Sequence, residues 1–231
     1  MNASAASSFF QNRIDSQKER HLYRQLKNIT GRSGSLIEFD GRQIVNFSSN
    51  DYLGLSLDPS LAEAAADAAR RWGTGSGASR LVSGSCEIHN RLEQQIAELK
   101  EEEAALLYPS GFQANLGLLS AVAEKGDTIF ADRLSHASLI DAARLSEASL
   151  KVYPHADFET LERRLKRCTS GKKIVVTDSY FSMDGDIVNL AELAGLCAKQ
   201  GAYLIVDEAH SNGVFGPRGA GLSVLHRVQG Q

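Results

Sequence analysis

The most informative acid in the sequence is Asp207, which directly follows an apolar run and is itself followed by Glu208, Ala209 and His210. The run before it, Ala202–Val206, contains no charged residue, as is typical of a buried strand. A carboxylate at the end of such a strand is poorly solvated and requires a cation or hydrogen-bond donors. A protonated pyridine nitrogen is one such cation, and a helix cap and a Mg²⁺ site are the alternatives. Asp207 is therefore the first candidate site residue.

A second candidate is the turn Ser110-Gly111-Phe112, which leads from an apolar segment into a helical pattern. A turn of small residues at a helix start exposes backbone N–H groups, and the helix dipole adds positive potential there. Such a turn can hold a phosphate group. An ordinary connection between a strand and a helix is the alternative.

Two histidines, His136 and His210, each follow an apolar run at its end. One imidazole of such a pair can stack on a planar aromatic cofactor, and the other can donate to a phenolic oxygen of that cofactor. Both histidines can instead be structural residues. A zinc site made of His136, His210 and Asp207 is a further alternative, but it does not account for the turn at Gly111.

The string Asp-Glu-Ala-His also occurs in helicases, which makes a nucleotide triphosphatase the main rival interpretation. That class requires a phosphate loop of the form G-x-x-x-x-G-K-[ST]. Neither the glycine-rich run Gly73–Gly77 nor Gly171-Lys172-Lys173 has this form. Gly73–Gly77 also follows a helical pattern and not a strand, which excludes a dinucleotide-binding fingerprint.

The elements that would position these residues follow a regular order from residue 87 onward. Apolar runs without alternation are separated by amphipathic helices, which indicates a mostly parallel sheet with helices on both faces and an α/β fold class. In such sheets, ligands bind beyond the carboxyl ends of the strands, where the candidate residues would meet. The predicted strands are Ala104–Tyr108, Thr128–Ala131, Leu150–Tyr153, Ile174–Thr177 and Ala202–Val206, and the predicted helices are Glu87–Lys100, one opening after Gly111, His136–Leu145, one capped by Asp157, and Leu190–Gln200.

The N-terminal part has a different pattern. Residues 14–28 are polar with few apolar positions, which predicts a solvated helix or arm. Asp40-Gly41 lies between two short alternating runs and predicts a β-hairpin. Pro59 favours the start of a helix that continues to Trp72. We expect an N-terminal arm with a helix and a β-hairpin over residues 1–50 and the main domain over residues 51–231.

The composition excludes several classes of protein. Hydrophobic residues make up 42% of the 231 residues and charged residues 23%, as in globular proteins with a large core. A net charge of −3 gives no argument for nucleic acid or for an acidic membrane surface. The three cysteines are widely spaced and form no C-x-x-C pair, which favours reduced thiols. Without a secretory signal or an apolar segment of membrane-spanning length, the sequence predicts a cytoplasmic protein.

Several strings of the chain, taken in order, resemble the motifs of the α-oxoamine synthases, a family of acyltransferases that depend on pyridoxal 5′-phosphate (PLP). The similarity extends from about Arg13 to Leu225, which is nearly the whole chain. The matching strings are Asn46–Gly54, Gly75–Gly77, Ser79–Gly84, His89, Ser110–Asn115, Asp132–Ser138, Phe181–Asp186 and Asp207–His210.

The resemblance implies the large domain of a fold-type I PLP-dependent transferase and assigns a role to each matching position. It places no metal in the site. Asp178 stands where relatives often have Glu. The implied cofactor contacts are Gly111 and Phe112 on the phosphate, His136 stacked on the ring, Ser182 and His210 on the side of the phenolic oxygen, and Asp207 on the ring nitrogen. The implied catalytic residues are His136, Asp207 and His210, and the implied substrate contacts are Arg24, Asn50 and His136.

The resemblance also implies a reaction, in which an amino acid condenses with an acyl-CoA or acyl-carrier thioester, loses CO₂ and gives an α-amino ketone. L-alanine and a pimeloyl thioester, as in biotin biosynthesis, are the implied substrates, and a homodimer is the implied assembly. Other members of the family use glycine or serine. A non-catalytic binding protein that keeps the cofactor pocket is a further alternative.

One feature of the family is not matched in this sequence. Family members carry a lysine in a Thr-x-Ser/Gly-Lys segment, followed by a C-terminal domain, and that lysine bonds to the cofactor. None of the lysines here has that context. We therefore expect a large domain that is truncated before this lysine, a chain that is inactive alone, and an exposed sheet edge that favours association.

Overall fold

The structure is a computed structural model that describes residues 3–169 and 171–229, with side chains from residue 8 onward. It contains two compact units, Met1–Glu63 and Ala64–Gln231, which are described separately below. No helix in the described ranges is both long enough and apolar enough to cross a membrane.

The described part of the first unit contains an N-terminal helix, a three-stranded antiparallel sheet, a short 3-10 helix (Leu55–Leu57) and the start of the next helix at Pro59. The N-terminal helix is α1 (Ala3–Glu19), and the strands are β1 (Ile29–Ser33), β2 (Leu36–Phe39) and β3 (Arg42–Val45), in that order across the sheet. The predicted hairpin is confirmed, and Asp40 and Gly41 both have positive φ, as a tight two-residue hairpin turn requires. The sequence did not indicate β1.

The predicted helix or arm over residues 14–28 is helical only in its first part. His21 adopts a left-handed conformation with φ 55°, and the N–H of Leu22 donates to the carbonyl of Gln17. This pattern of bonds closes the C-terminus of a helix. The helix therefore ends at Glu19, and residues 22–28 form no regular element.

A four-stranded parallel sheet in the order β5-β4-β6-β9 forms the centre of the second unit. The predicted α/β class and parallel sheet are therefore confirmed. A separate two-stranded hairpin, β7 with β8, follows β6. The strands are β4 (Thr128–Asp132), β5 (Ser149–Tyr153), β6 (Lys173–Asp178), β7 (Tyr180–Phe181), β8 (Asp186–Ile187) and β9 (Ala202–Asp207). The remaining helices of the chain are α2 (Pro59–Trp72), α3 (Glu87–Lys100), α4 (Gly111–Val122), α5 (Ala137–Leu145), α6 (Phe158–Arg167), α7 (Leu190–Gln200) and α8 (Leu222–His226).

Helices cover both faces of this sheet, as predicted. Phe130 and Val175 point to one face, where they pack with buried residues of α6 and α7. Their neighbours Ile129 and Ile174 point to the other face, where they pack with buried residues of α4 and α5. Because both faces are buried, the strands are apolar without alternation, which is why the sequence pattern indicated a parallel sheet.

The predicted strand Ala104–Tyr108 is wrong. The segment belongs to none of the described sheets, and side chains bind its backbone instead. Glu93 accepts a hydrogen bond from the N–H of Leu107 at 2.7 Å, and Arg80 donates to the carbonyl of Leu107 at 3.2 Å. Arg80 and Glu93 also pair with each other through two bonds, at 2.7 and 3.0 Å. The apolar run is thus held by an ion pair between Arg80, in the turn before α3, and Glu93 on α3, a contact that periodicity does not reveal.

The predicted strand Ala202–Val206 is confirmed as β9, but this strand is only partly buried. β9 is the last strand in the order of the sheet, and no described strand pairs with its outer edge. Burial at an edge depends on what covers that edge. The apolar composition of Ala202–Val206 does not carry this information.

Candidate active site

Three acids meet at the carboxyl edge of the parallel sheet. Asp132 ends β4, Asp178 ends β6 and Asp207 ends β9, and Asp178 pairs in register with Asp207. Asp132 is fully buried and Asp178 is 7% exposed, whereas Asp207 is partly buried. The predicted meeting of polar groups at this edge is therefore present for these neighbouring strands. The segment at residues 104–108 does not contribute a strand end.

The carboxylate of Asp207 is held by neutral donors. Its Oδ2 accepts from Nδ2 of Asn115 at 2.8 Å, and its Oδ1 accepts from the N–H of Ala209 at 2.9 Å. No basic side chain of the described residues forms an ion pair with it. The acid is fixed in orientation and still lacks a counter-cation, which leaves it available for a cationic ligand.

Asn115 is the main site residue that sequence reasoning missed. It follows Gly111 by four residues, a spacing that places both on the same face of α4, and this spacing was the available signal. Its Nδ2 also donates to Oγ of Ser138 at 2.8 Å. One amide group therefore joins the end of β9 to the start of α5.

Ser138 extends this network to His136. Its Oγ lies 2.7 Å from Nδ1 of His136, and its N–H donates to the same nitrogen at 3.3 Å. Because Asn115 is the donor to Ser138, the serine hydroxyl donates onward and Nδ1 accepts. The neutral imidazole then carries its proton on Nε2.

His136 is anchored at its backbone as well as at its ring. It is the N-cap of α5, and its N–H donates to Oδ2 of Asp178 at 2.9 Å. The side chain is exposed at the edge of the sheet. An exposed imidazole ring with a fixed backbone and a fixed Nδ1 presents a flat surface to a ligand.

The crowding of acids changes the ionisation of Asp178. Burial raises the pKa of Asp178 to about 6, and the negative charges of Asp207 and Asp132 add to this effect. The hydrogen bond from the backbone of His136 acts in the opposite direction but does not cancel it. Asp178 therefore retains a proton at a higher pH than an ordinary carboxyl group.

The predicted phosphate turn has the expected local structure. Ser110 is the N-cap of α4, and its Oγ accepts from the N–H of Gln113 at 3.2 Å. The N–H groups of Gly111 and Phe112 lie in the first turn of α4 and have no intrahelical acceptor. A Cβ atom on Gly111 would meet no atom within 4 Å, so the space in front of this turn is open. Gly111 lies about 6 Å along the helix axis from Asn115, the partner of Asp207.

The structure brings some of the predicted residues together and leaves others apart. The start of α4, His136 and Asp207 are linked through Asn115 and Ser138. Ser182 is exposed in the turn between β7 and β8, and His210 lies partly buried in the turn after β9. Arg24 and Asn50 are exposed residues of the first unit. The roles of these last four residues stay predictions.

A phosphorylated pyridine ring fits this arrangement. The start of α4 offers free N–H groups for a phosphate, Asp207 offers a negative charge for a protonated ring nitrogen, and His136 offers a flat surface. In the described residues, no group of three histidine, cysteine or acidic side chains is arranged as metal ligands would be.

The ionisation of Asp178 gives a testable effect on stability. Because its pKa is raised from 3.8 to about 6, the folded state binds more protons than the unfolded state between these values. The free energy of unfolding should therefore fall as the pH rises from about 4 to about 6, by up to about 1.4 kcal/mol per pH unit. In Asp178→Asn this contribution should be absent, so the variant should gain stability relative to the parent chain as the pH rises. Urea unfolding between pH 4 and pH 7 measures both curves.

The matched control is Asp184→Asn in the exposed turn between β7 and β8. The free energy of unfolding of this variant, plotted against pH, should run parallel to that of the parent chain. Parallel curves for Asp178→Asn as well would show that this carboxyl group titrates normally in the folded protein.

Comparisons with known proteins agree with this fold. The Aminotransferase class I and II family profile matches residues 42–229. The 8-amino-7-oxononanoate synthase of Geotalea daltonii is 49% identical over 218 residues, which cover 94% of this chain and 56% of the relative. The chain therefore spans about half the length of the curated relatives it matches.

Two solved structures show the same fold. A serine palmitoyltransferase from Sphingomonas wittichii has a TM-score of 0.85 and 31% identity, over 99% of this chain and 58% of that chain. An 8-amino-7-oxononanoate synthase from Francisella tularensis has a TM-score of 0.68 and 34% identity, over 78% of this chain and 50% of that chain. With this fold and these relatives, the chain belongs to the aminotransferase class I and II family and, within it, to the α-oxoamine synthases, whose cofactor is PLP.

Proposed function

We propose that this chain forms the PLP-binding part of an 8-amino-7-oxononanoate synthase, an enzyme that condenses L-alanine with a pimeloyl thioester in biotin biosynthesis. The observation that carries the proposal is the carboxylate of Asp207, which Asn115 and Ala209 orient and which no basic side chain of the described residues neutralises. The names of the curated relatives support the choice of reaction.

Asp207 binds the ring nitrogen and keeps it protonated. When bound, PLP supplies an electron-withdrawing ring that stabilises negative charge on the α-carbon of an amino acid. The position of the carboxylate is set from two sides, by Asn115 on α4 and by the backbone of Ala209. This support fixes both oxygens, so the acid does not have to reorganise when the ring enters.

The start of α4 binds the phosphate. Ser110 uses its own hydroxyl oxygen to cap Gln113, which leaves the N–H groups of Gly111 and Phe112 to the ligand. The helix dipole favours a negative charge at this position. Gly111 allows a close approach because no side chain occupies the space in front of it.

His136 covers one side of the ring. The contact between Ser138 and Nδ1 leaves the Nε2 proton free to face the substrate. From the family resemblance, we assign Ser182 and His210 to the phenolic oxygen of the ring and Arg24 and Asn50 to the substrates. The resemblance also supports a cytoplasmic homodimer as the active assembly.

We further propose that none of the lysines within residues 1–231 is the covalent anchor of the cofactor. In the described part of the second unit, several lysine amines bond to other groups. Lys100 contacts Glu208 and Asn212, Lys172 contacts Asp127, and Lys173 donates to the carbonyl of Gln200. On this proposal, the chain holds PLP only through reversible contacts and is inactive alone.

The second candidate function is the reaction of another α-oxoamine synthase, such as serine palmitoyltransferase. The solved serine palmitoyltransferases favour this alternative, because one of them matches 99% of the chain at a TM-score of 0.85. Their sequence identity of 31% or less lies below the 49% of the curated relative from Geotalea daltonii. The sequence therefore favours L-alanine over serine as the amino acid.

Cofactor binding can be tested with a variant that leaves the fold intact. Gly111→Val places a branched side chain in open space in front of the first turn of α4. The variant should fold normally but bind PLP at least about tenfold more weakly, because the side chain occupies the phosphate site. Titration of the purified chain with PLP, followed by absorbance, measures the affinity.

Gly195→Val on α7 is the matched control, because a Cβ atom there also meets no neighbour within 4 Å. It should bind PLP as the parent chain does. Borohydride reduction of the PLP complexes should leave no lysine labelled in stoichiometric amount. Equal PLP affinity in both variants would contradict the phosphate assignment, and a stoichiometrically labelled lysine would contradict the reversible binding mode.

The reaction itself is tested on the protein together with any sequence that follows residue 231 in its gene. Mass spectrometry should detect 8-amino-7-oxononanoate from L-alanine and a pimeloyl thioester, at a rate at least about tenfold above that with glycine or serine. Asp207→Asn should remove most of this activity, because the ring nitrogen loses its anionic partner. A preference for serine and a long-chain acyl-CoA would replace this assignment with the second candidate.

A further inference from the structure

A histidine outside the cofactor site bridges two carboxylates. Nδ1 of His155 lies 2.9 Å from Oδ1 of Asp132, and its Nε2 lies 2.7 Å from Oδ2 of Asp186. The imidazole is 20% exposed, and Asp132 is fully buried at the end of β4. Asp186 begins β8, on the far side of the turn that contains Ser182.

The two contacts together require a protonated ring. A carboxylate oxygen accepts hydrogen bonds but cannot donate them, and a neutral imidazole has only one N–H. Both nitrogens of His155 can therefore donate at once only when the ring is imidazolium. The imidazolium form of His155 thus bonds to both Asp132 and Asp186. The neutral form can donate a hydrogen bond to only one of these two acids.

The hairpin of β7 and β8 is held near its turn by the buried side chain of Phe181 and by the contact between Asp186 and His155. In the described residues, His155 is the only hydrogen-bond partner of the Asp186 carboxylate, and Oδ1 of Asp186 is buried without a partner. The ring of Phe181, which pairs with Asp186 across the hairpin, packs edge-on against His155 with centroids 4.5 Å apart. His155 therefore contacts both strands of the hairpin next to its turn.

The charged surroundings of His155 favour the imidazolium. Asp132 faces it from β4 and Asp186 from β8, while β7 contributes the neutral ring of Phe181. Asp157, which follows His155 by two residues, is bonded to Thr160 as the cap of α6. Burial alone would lower the pKa of His155, but the hydrogen bonds and charges of the two acids outweigh it, so the pKa lies above its ordinary value.

Asp132 also has neighbours that bear on this bridge. Its other contacts come from the backbone N–H groups of Leu134 and Ala156. Tyr153 on β5 and Asp178 on β6 lie close enough for their ionisation to respond to its charge. Neither of them bonds to His155 in the described structure, so the bridge is formed by two acids and one imidazole.

We propose that His155 is a positioning residue, which in its protonated form fastens the β7–β8 hairpin, and with it Ser182, to the carboxyl edge of the sheet. Deprotonation removes one of the two bonds and loosens the hairpin. The link to cofactor binding rests on the proposed function, in which Ser182 contacts PLP, but the fastening itself needs no cofactor.

The direction of the pH effect follows from the raised pKa. The stabilisation by His155 is fully present below its unfolded-state pKa of about 6.5 and is lost as the pH rises through the higher folded-state pKa. The hairpin should therefore be well ordered at pH 6 and loosened at alkaline pH.

Hydrogen exchange on the chain without cofactor tests this proposal. The N–H groups of Gly185 and Val188 bond within the hairpin, to the carbonyls of Phe181 and Ser179. After correction for the intrinsic pH dependence of exchange, their protection factors should fall about tenfold between pH 6 and pH 9, since loss of a charge-assisted bond changes an opening equilibrium by about this factor. In His155→Gln, protection should be low and independent of pH.

Two further variants sharpen the test. Asp186→Asn should shift the transition to lower pH, because the imidazolium loses one of its two anionic partners. His21→Gln, an exposed histidine of the first unit, should behave like the parent chain. A flat protection profile in the parent chain, or a transition that persists in His155→Gln, would overturn the proposal.

The PLP affinity of the same samples separates this proposal from the proposed function. In the parent chain, PLP binding should weaken over the same pH range in which protection is lost. In His155→Gln, PLP binding should not change with pH. This pair of results supports the link through Ser182. Absence of PLP binding at every pH, with the exchange results intact, counts against the proposed function and leaves the role of His155 standing.

Discussion

The parallel register of the sheet forces three carboxylates onto one edge, and the rest of the site depends on how each charge is balanced. Asp132 is met by His155 and two backbone N–H groups. Asp178 retains a proton to a higher pH, with a pKa of about 6. Asp207 receives only neutral donors. Of the three acids, Asp207 alone is both ordered and still in need of a cation, which is why we place the pyridine nitrogen there.

The same neutral donors connect the separate elements of the site. Asn115 bonds to Asp207 on β9 and to Ser138 at the start of α5, and Ser138 reaches His136. The phosphate turn is carried on the same helix as Asn115, one turn earlier. A displacement of α4 would therefore move the phosphate turn and the support of Asp207 together. The hydrogen bonds of Asn115 and Ser138 therefore fix the relative positions of the start of α4, the start of α5 and the end of β9.

Much of this architecture was predictable from the sequence, because burial on both faces leaves an unmistakable apolar pattern in β4 and β6. Local signals also predicted the hairpin at Asp40-Gly41, the helix that opens after Gly111 and the cap at Asp157. Contacts between distant residues were not predictable. The pair of Arg80 and Glu93 holds a segment that the pattern assigned to a strand. Asn115 and His155 were missed because their partners are distant in sequence.

The central claim is that Asp207 faces the ring nitrogen of the cofactor. Its most direct test is to compare the affinity of the chain for PLP with that for a 1-deaza analogue, in which carbon replaces the ring nitrogen. The parent chain should bind PLP more tightly than the analogue, and Asp207→Asn should reduce this difference to near zero because the ionic partner is gone. Equal affinities for both ligands in the parent chain would contradict the account.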